Sequence, residues 1–262
     1  MPAPENPLRT ALAANRMQLG AWVGLRSPEA AEIAALAGFD WCLLDGEHGP
    51  WDVPAIRDQI LAVRAAGAHP VVRVPEARAW MIKQVLDLGA QSVLVPMVNS
   101  GEEAAAMARA MRYPPQGVRG MAAPVVRASG FGAIPDYAAT ANAQICLLVQ
   151  AETRAALENI DAIAATEGVD GVFIGPADLS ADMGFEGELG APELDEAIEH
   201  MIARIRAAGK AAGILALDEA RMARYAQLGV RFMGVASDIV ALSGAMRSTA
   251  ARFRALLDEE KT

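Results

Sequence analysis

Eight short apolar runs recur along the chain, each followed by a longer Ala- and Leu-rich stretch with helical spacing. This alternation constrains the fold more than any other feature. The runs are QLGAWVGL (18–25), DWCLLD (40–45), HPVVRV (69–74), QSVLVPMV (91–98), QICLLVQ (144–150), DGVFIG (170–175), AAGIL (211–215) and VRFMGVA (230–236). Between them lie patterns such as PEAAEIAALAG, VPAIRDQILAVRAAG and DEARMARYAQLG. Several close on Ala-Gly or Leu-Gly, where a left-handed cap suits glycine. Near-continuous apolar strands alternating with helices imply parallel strands covered by helices. Eight such units fit a closed (β/α)8 TIM barrel better than an open doubly wound sheet. No G-x-G-x-x-G follows the first strand, and no P-loop occurs. No linker or low-complexity stretch divides the chain, so residues 1–262 are expected to form one barrel domain.

Two segments interrupt the alternation. Residues 113–135, YPPQGVRGMAAPVVRASGFGAIP, form a Pro/Gly/Arg-rich stretch of the length that usually serves function or an interface. Residues 238–258 form a final helix whose Ile239, Val240, Leu242, Met246, Phe253, Leu256 and Leu257 need an apolar partner. The pattern alone favours the chain's own barrel, with another subunit as the alternative.

Composition excludes several classes of function. With 53% hydrophobic and 21% charged residues the chain is not disordered, and no run of about 18 uncharged apolar residues could span a membrane. A net charge of −9 disfavours nucleic acid and anionic lipid as partners. The N-terminal stretch has no basic region followed by an apolar one, so no secretory signal is expected. Cys42 and Cys146 lie in apolar runs without metal-ligand spacing, as expected of buried thiols in a reducing, cytoplasmic setting.

In a barrel, the chemistry belongs at the C-terminal ends of the strands. There the sequence offers Asp45-Gly46-Glu47-His48 after the second strand and Arg73 at the end of the third. Gln150-Ala151-Glu152 ends the fifth, and Gly175-Pro176-Ala177-Asp178 follows the sixth. Glu152 and Asp178 supply hard oxygen ligands suited to Mg²⁺ or Mn²⁺, although either residue could instead cap a helix. Zinc is disfavoured, since no Cys or clustered His is available. His48 beside Asp45 suits proton transfer near neutral pH, or is a loop histidine held by that carboxylate. Arg73 should point into the barrel mouth, there to meet a substrate carboxylate or enolate, or to pair with a neighbouring carboxylate. The only lysines are Lys83 inside a helix, Lys210 before the seventh strand and Lys261 in the tail. None is placed for a Schiff base at the catalytic face, so carbon–carbon chemistry here would need a metal-stabilised enolate.

The segments LLDGEHGPWD, HPVVRV, MIKQVLDLGAQSVLVPMV, YPPQGVRG, QAET and GVFIGPADLSADMG closely resemble the HpcH/HpaI class II aldolases, over essentially residues 8–258. That resemblance implies reversible cleavage of 4-hydroxy-2-oxo acids to pyruvate and an aldehyde, with a divalent metal such as Mg²⁺, Mn²⁺ or Co²⁺. By matching positions it implies Glu152 and Asp178 as metal ligands, and Gln150 with the Gly175–Pro176–Ala177 turn as the pyruvate site. It makes Arg73 the enolate-stabilising residue and His48 the acid/base acting through water, with Asp45 orienting it. Asp87 would raise the histidine's basicity, a role the residues alone do not suggest, since Asp87 otherwise looks like a helix-surface residue. The resemblance further implies a hexamer built as a trimer of dimers. Its final helix would be exchanged between subunits, and the 113–135 loop, with Val118 and Arg119, would close a neighbour's site. Leu215 would border the aldehyde. The alternatives are a CoA-thioester lyase or phosphoenolpyruvate-handling enzyme on the same barrel, or a non-catalytic keto-acid binding protein.

Overall fold

Each apolar run becomes a strand in the computed structural model, which describes residues 1–259. The strands are β1 (Gln18–Val23), β2 (Trp41–Asp45), β3 (His69–Arg73), β4 (Ser92–Val95), β5 (Cys146–Ala151), β6 (Gly171–Ile174), β7 (Ala211–Leu215) and β8 (Phe232–Ser237). All pairings are parallel in sequence order, and β8 returns to β1 to close the barrel. A TIM barrel is what the alternation predicts.

Helices occupy the intervals. In the first half they are α1 (Pro7–Ala13), α2 (Pro28–Leu36), α3 (Val53–Ala65), α4 (Ala79–Asp87), α5 (Gly101–Met111) and α6 (Tyr137–Thr140). The second half holds α7 (Arg154–Glu158), α8 (Ile160–Ala165), α9 (Pro176–Asp182), α10 (Pro192–Ala207), α11 (Glu219–Leu228) and α12 (Asp238–Glu259). Side-chain caps fix several starts, with Ser27, Asp52, Ser100 and Thr153 each accepting an N–H of the first turn.

Because strand side chains alternate faces, each strand serves two cores. Cys42, Leu44, Val72, Val93, Val95, Leu147, Val149, Val172 and Ile174 point outward against the helices. Trp41, Leu43, Val71, Leu94, Leu148, Phe173 and Phe232 fill the barrel, and Leu8 and Leu12 of α1 plug its N-terminal end. The same period of two carries Asp45, Arg73 and Gln150 inward at the other end. β4 stops at Val95, short of the predicted run, because Pro96 has no N–H to give the ladder and Met97 adopts a left-handed backbone (φ 54°).

Two further differences concern the irregular segments. The 113–135 stretch holds one short 3-10 turn (Arg127–Ser129) and joins a small core of Ala3, Tyr113, Ala123, Tyr137 and Ala141. The final helix does not pack along its own barrel, contrary to the expectation from its pattern. Its first turn is anchored, with the Asp238 carboxylate accepting the N–H groups of Gly24 and Leu25 at 2.9 Å each. Beyond that turn Met246, Phe253, Leu256 and Leu257 are all more than half exposed. An apolar groove beside α2, lined by Leu25, Ala30, Ile33, Ala34 and Ala37, is met only by the start of α12. Lys261 lies outside the described residues.

Candidate active site

The inward-facing residues at the C-terminal strand ends border a cavity of about 540 Å³. Asp45, His48, Arg73, Gln150, Gly175, Pro176, Ala177, Asp178 and Leu215 all line it. Trp22 and Phe173 form its floor, with ring centroids 5.3 Å apart. Leu189, Leu217, Asp218, Arg221 and Tyr225 form its outer wall.

Glu152 lies just behind this lining. Its Oε1 accepts the Met97 N–H at 2.9 Å, and its Oε2 accepts from Gln150 Nε2. A Cβ on Gly175 would collide with the Glu152 side chain, approaching its Cβ to 2.8 Å, so the β6 turn passes this closely only because residue 175 is glycine. Neither predicted ligand caps a helix with its side chain. Thr153 caps α7, and α9 has no side-chain cap bond. Burial pushes the Glu152 carboxyl up to about 7. The bonds from Gln150 and Met97 oppose that rise, and the charges of Asp178 and Glu47 add to it.

Arg73 is held by carboxylates rather than left open. Its Nε and Nη2 donate to Asp45 at 2.9 and 2.5 Å, and its Nη1 lies 2.6 Å from Glu47 Oε2. Its guanidinium carbon sits 5.7 Å from the Trp22 ring centroid. The ion-pair reading of Arg73 therefore holds, and the side chain lines the cavity as well. Asp45 accepts the backbone N–H groups of Glu47 and His48, at 3.0 and 3.3 Å. It thus fixes the turn that carries His48, where the resemblance would have it orient the ring.

The inner end of the site bears a surplus of negative charge. Asp45, Glu47, Glu152 and Asp178 stand against the Arg73 guanidinium, while at the outer wall Asp218 caps α11 and the Arg221 guanidinium lies 3.8 Å from Asp195. Gln150 is buried and its Oε1 has no hydrogen-bond partner among the described residues. An oxygen-rich, over-anionic pocket fits a hard divalent cation. Among the described residues no group of three or more His, Cys, Asp and Glu side chains is disposed to cage a metal. Two carboxylates would therefore leave the other positions to water and substrate.

Two predicted residues lie elsewhere. Asp87 ends α4, next to the start of β4 and so at the opposite end of the barrel from His48. It pairs there with buried Arg119 at 2.7 Å. Val118 is 64% exposed beside the end of α5, where its N–H donates to Arg109 O. Neither reaches the cavity of its own chain. Lys83 and Lys210 also stay away from it: Lys83 lies within α4, and Lys210 donates to Val169 O before β7.

Sequence reasoning missed the Glu47 contact and most of the outer wall. Leu217 and Asp218 follow β7 directly, so the strand-end rule that found Asp178 would have found them. Arg221 and Tyr225 sit one turn apart on α11, and nothing in a helical pattern distinguishes them from surface residues.

Known proteins share this architecture. A model of the HpcH/HpaI aldolase/citrate lyase family matches residues 18–245. The chain is 53% identical over 97% of its length to a hydroxypyruvate/pyruvate aldolase of Roseovarius nubinhibens, covering 99% of that protein. It is 50% identical over 96% of its length to a 4-hydroxy-2-oxo-heptane-1,7-dioate aldolase of Shigella sonnei, covering 96% of it. The crystal structure of a family member from Burkholderia cenocepacia superposes with a TM-score of 0.91 at 38% identity, over 95% of this chain and 99% of that one. The chain belongs to the HpcH/HpaI aldolase/citrate lyase family and is a carbon–carbon lyase of the aldolase type.

Proposed function

We propose that the cavity catalyses reversible aldol cleavage of 4-hydroxy-2-oxo acids, with pyruvate or hydroxypyruvate as the donor and an aldehyde as the acceptor. The observation that carries this reading is the meeting of His48, Arg73, Gln150 and Asp178 in one cavity, with Glu152 directly behind it. The names of the relatives at about half identity support the donor class.

Glu152 and Asp178 would hold Mg²⁺, Mn²⁺ or Co²⁺, which when bound acidifies the C3 protons of a chelated 2-oxo acid and stabilises negative charge on its keto oxygen. Gln150 and the Gly175–Pro176–Ala177 turn bind the 2-oxo acid. His48 takes the C3 proton through a water and returns it on the acceptor side. Arg73 faces the oxyanion as it develops, a preorganised charge where it counts most. Leu215, with Leu189 and Leu217, borders the aldehyde and excludes water from it.

Subunit assembly completes the proposal as a hexamer arranged as a trimer of dimers. The stranded apolar face of α12 and the groove beside α2 support exchange of that helix between subunits. Asp87 and Val118, remote from their own cavity, would serve a neighbour's site, with Asp87 raising that histidine's basicity. Buried free Cys42 and Cys146 support a reducing, cytoplasmic setting, and among the described residues no helix is long and apolar enough to cross a membrane.

Proton NMR of pyruvate in D2O tests the reading without any choice of aldehyde. Exchange at C3 that requires Mg²⁺ or Mn²⁺, stops with EDTA and is lost in Glu152→Ala and His48→Ala is the expected result. No exchange with metal supplied would reject pyruvate as the donor.

A further inference from the structure

Asp45 alone satisfies Arg73 as a two-point partner, binding Nε and Nη2 in the fork geometry that carboxylates favour. The chain nevertheless places a second, partly buried carboxylate, Glu47, against Nη1 at 2.6 Å. This contact is an ion pair without hydrogen-bond alignment. The side chains of Arg73, Asp45 and Glu47 are 6%, 6% and 18% exposed. Burial raises the Glu47 carboxyl above the ordinary carboxylate range, while Arg73 and His48 pull it back. A charge kept here at a desolvation cost, on a guanidinium already paired, calls for a reason beyond stability.

Its surroundings supply one. At Gly46 the chain turns tightly against β3, where the Gly46 N–H donates to Arg73 O at 2.9 Å. A Cβ on Gly46 would come within 2.6 Å of that carbonyl and of the Trp51 ring. Residues 45–47 therefore wrap Arg73 on its backbone and on two sides of its guanidinium. Because Asp45 Oδ1 also accepts the N–H of His48, the guanidinium and the turn bearing the histidine form one assembly.

We infer that Glu47 is a positioning residue for the aldol reaction, which acts through Arg73 by holding Nη1 and so fixing how the guanidinium faces the developing oxyanion. A guanidinium pinned only at Asp45 can still rock about that two-point contact; a third anchor on Nη1 stops it. This inference rests on the roles proposed above for Arg73 and His48. Because the oxyanion is fully formed only near the transition state, loss of Glu47 should lower kcat and leave KM for pyruvate nearly unchanged.

A double-mutant cycle on C3 exchange of pyruvate with Mn²⁺, using the full-length protein, tests it. Glu47→Ala should lower kcat by roughly 30-fold, and the isosteric Glu47→Gln, which keeps the shape and loses the charge, by about 5-fold, a range set by the cost of misplacing a catalytic group. On an Arg73→Lys background both effects should shrink below about 2-fold, because the group that Glu47 acts through is gone. Equal losses on both backgrounds would overturn the inference, as would unchanged kcat in either Glu47 variant. Glu47→Gln carries the test alone if Glu47→Ala does not fold. Wild-type exchange with insensitive Glu47 variants rejects only this inference. No exchange in the wild type rejects the aldolase reading, and the inference falls with it.

Discussion

The two ends of the barrel bury similar polar groups and treat them in opposite ways. At the N-terminal end, His69 Nε2 lies 2.8 Å from Ser92 Oγ. Asn6 donates to that same hydroxyl and to the carbonyls of Gln91 and Gln144. Gln144 Oε1 accepts the Asn6 N–H, and Gln91 Nε2 donates to Pro4 O. The histidine is neutral, since burial, with help from Arg64, depresses it to about 3, and Arg64 closes the cluster by donating to Gln91 Oε1 at 3.0 Å, so that charge is matched by acceptors. At the C-terminal end the polar groups are charged and carboxylates outnumber cations, and Gln150 Oε1 accepts nothing among the described residues. A polar cluster whose donors and acceptors match serves the fold, whereas one left with excess charge is built for a ligand.

The contrast predicts which substitutions harm stability and which harm turnover. Arg73→Ala should do both. It removes the oxyanion partner, lowering kcat at least about 100-fold, and strands the Asp45 carboxylate and the partly buried Glu47 beside it, at about 3–5 kcal/mol. Steady-state kinetics with thermal denaturation will check the pair, and near-normal turnover would reject the role of Arg73.

Glu152→Gln should separate the two effects. Exchange of C3 protons should fall at least about 100-fold, while the metal-free protein melts no lower. Glu152 has a folded-state pKa raised from the ordinary 4.5 to about 7. Its contribution to metal-free stability is thus complete below the lower value and lost as pH rises through the upper one. Wild-type Tm without metal should fall over that window more steeply than the variant's, and added Mn²⁺ should raise Tm more at pH 8 than at pH 6.

Asn6→Ala belongs to the other end. It removes bonds to Ser92, Gln91 and Gln144 and the cap of α1, at about 1–3 kcal/mol. Turnover per folded enzyme should stay within about 2-fold, since each variant is expected to act at only one end. A large kcat loss there would break the division between the ends.

The smallest effect concerns acid. His69 has a depressed folded-state pKa, so its contribution is present above its ordinary value of 6.5 and lost as pH falls toward about 3. His69→Gln should flatten the decline of Tm across that window in urea-free melts.

Much of this was legible in the sequence because it is written in short-range pattern. Eight apolar runs specify eight strands, and strand ends specify a mouth, so Asp45, His48, Arg73, Gln150 and Asp178 could be placed together from spacing alone. Glu152 could be placed with them, though not its position behind Gly175. The particular partners that Arg73 takes were not legible, because Asp45 and Glu47 meet it across neighbouring strands at a register that the pattern within each strand does not state. Arg221 and Tyr225 reach the cavity from a helix face that looks like any other. Asp87 was placed by family resemblance alone, and one chain folds it away from His48. For α12, pattern showed an apolar face and could not say which surface covers it.

Isothermal titration of the metal-free protein with Mn²⁺ tests the central claim most directly, with wild type, Glu152→Gln, Asp178→Asn and Asn6→Ala compared. The account predicts one saturable site per chain in the wild type and in Asn6→Ala, with binding weakened at least about 10-fold by either carboxylate substitution. Equal Mn²⁺ binding in all four proteins, or no saturable site in the wild type, would contradict it.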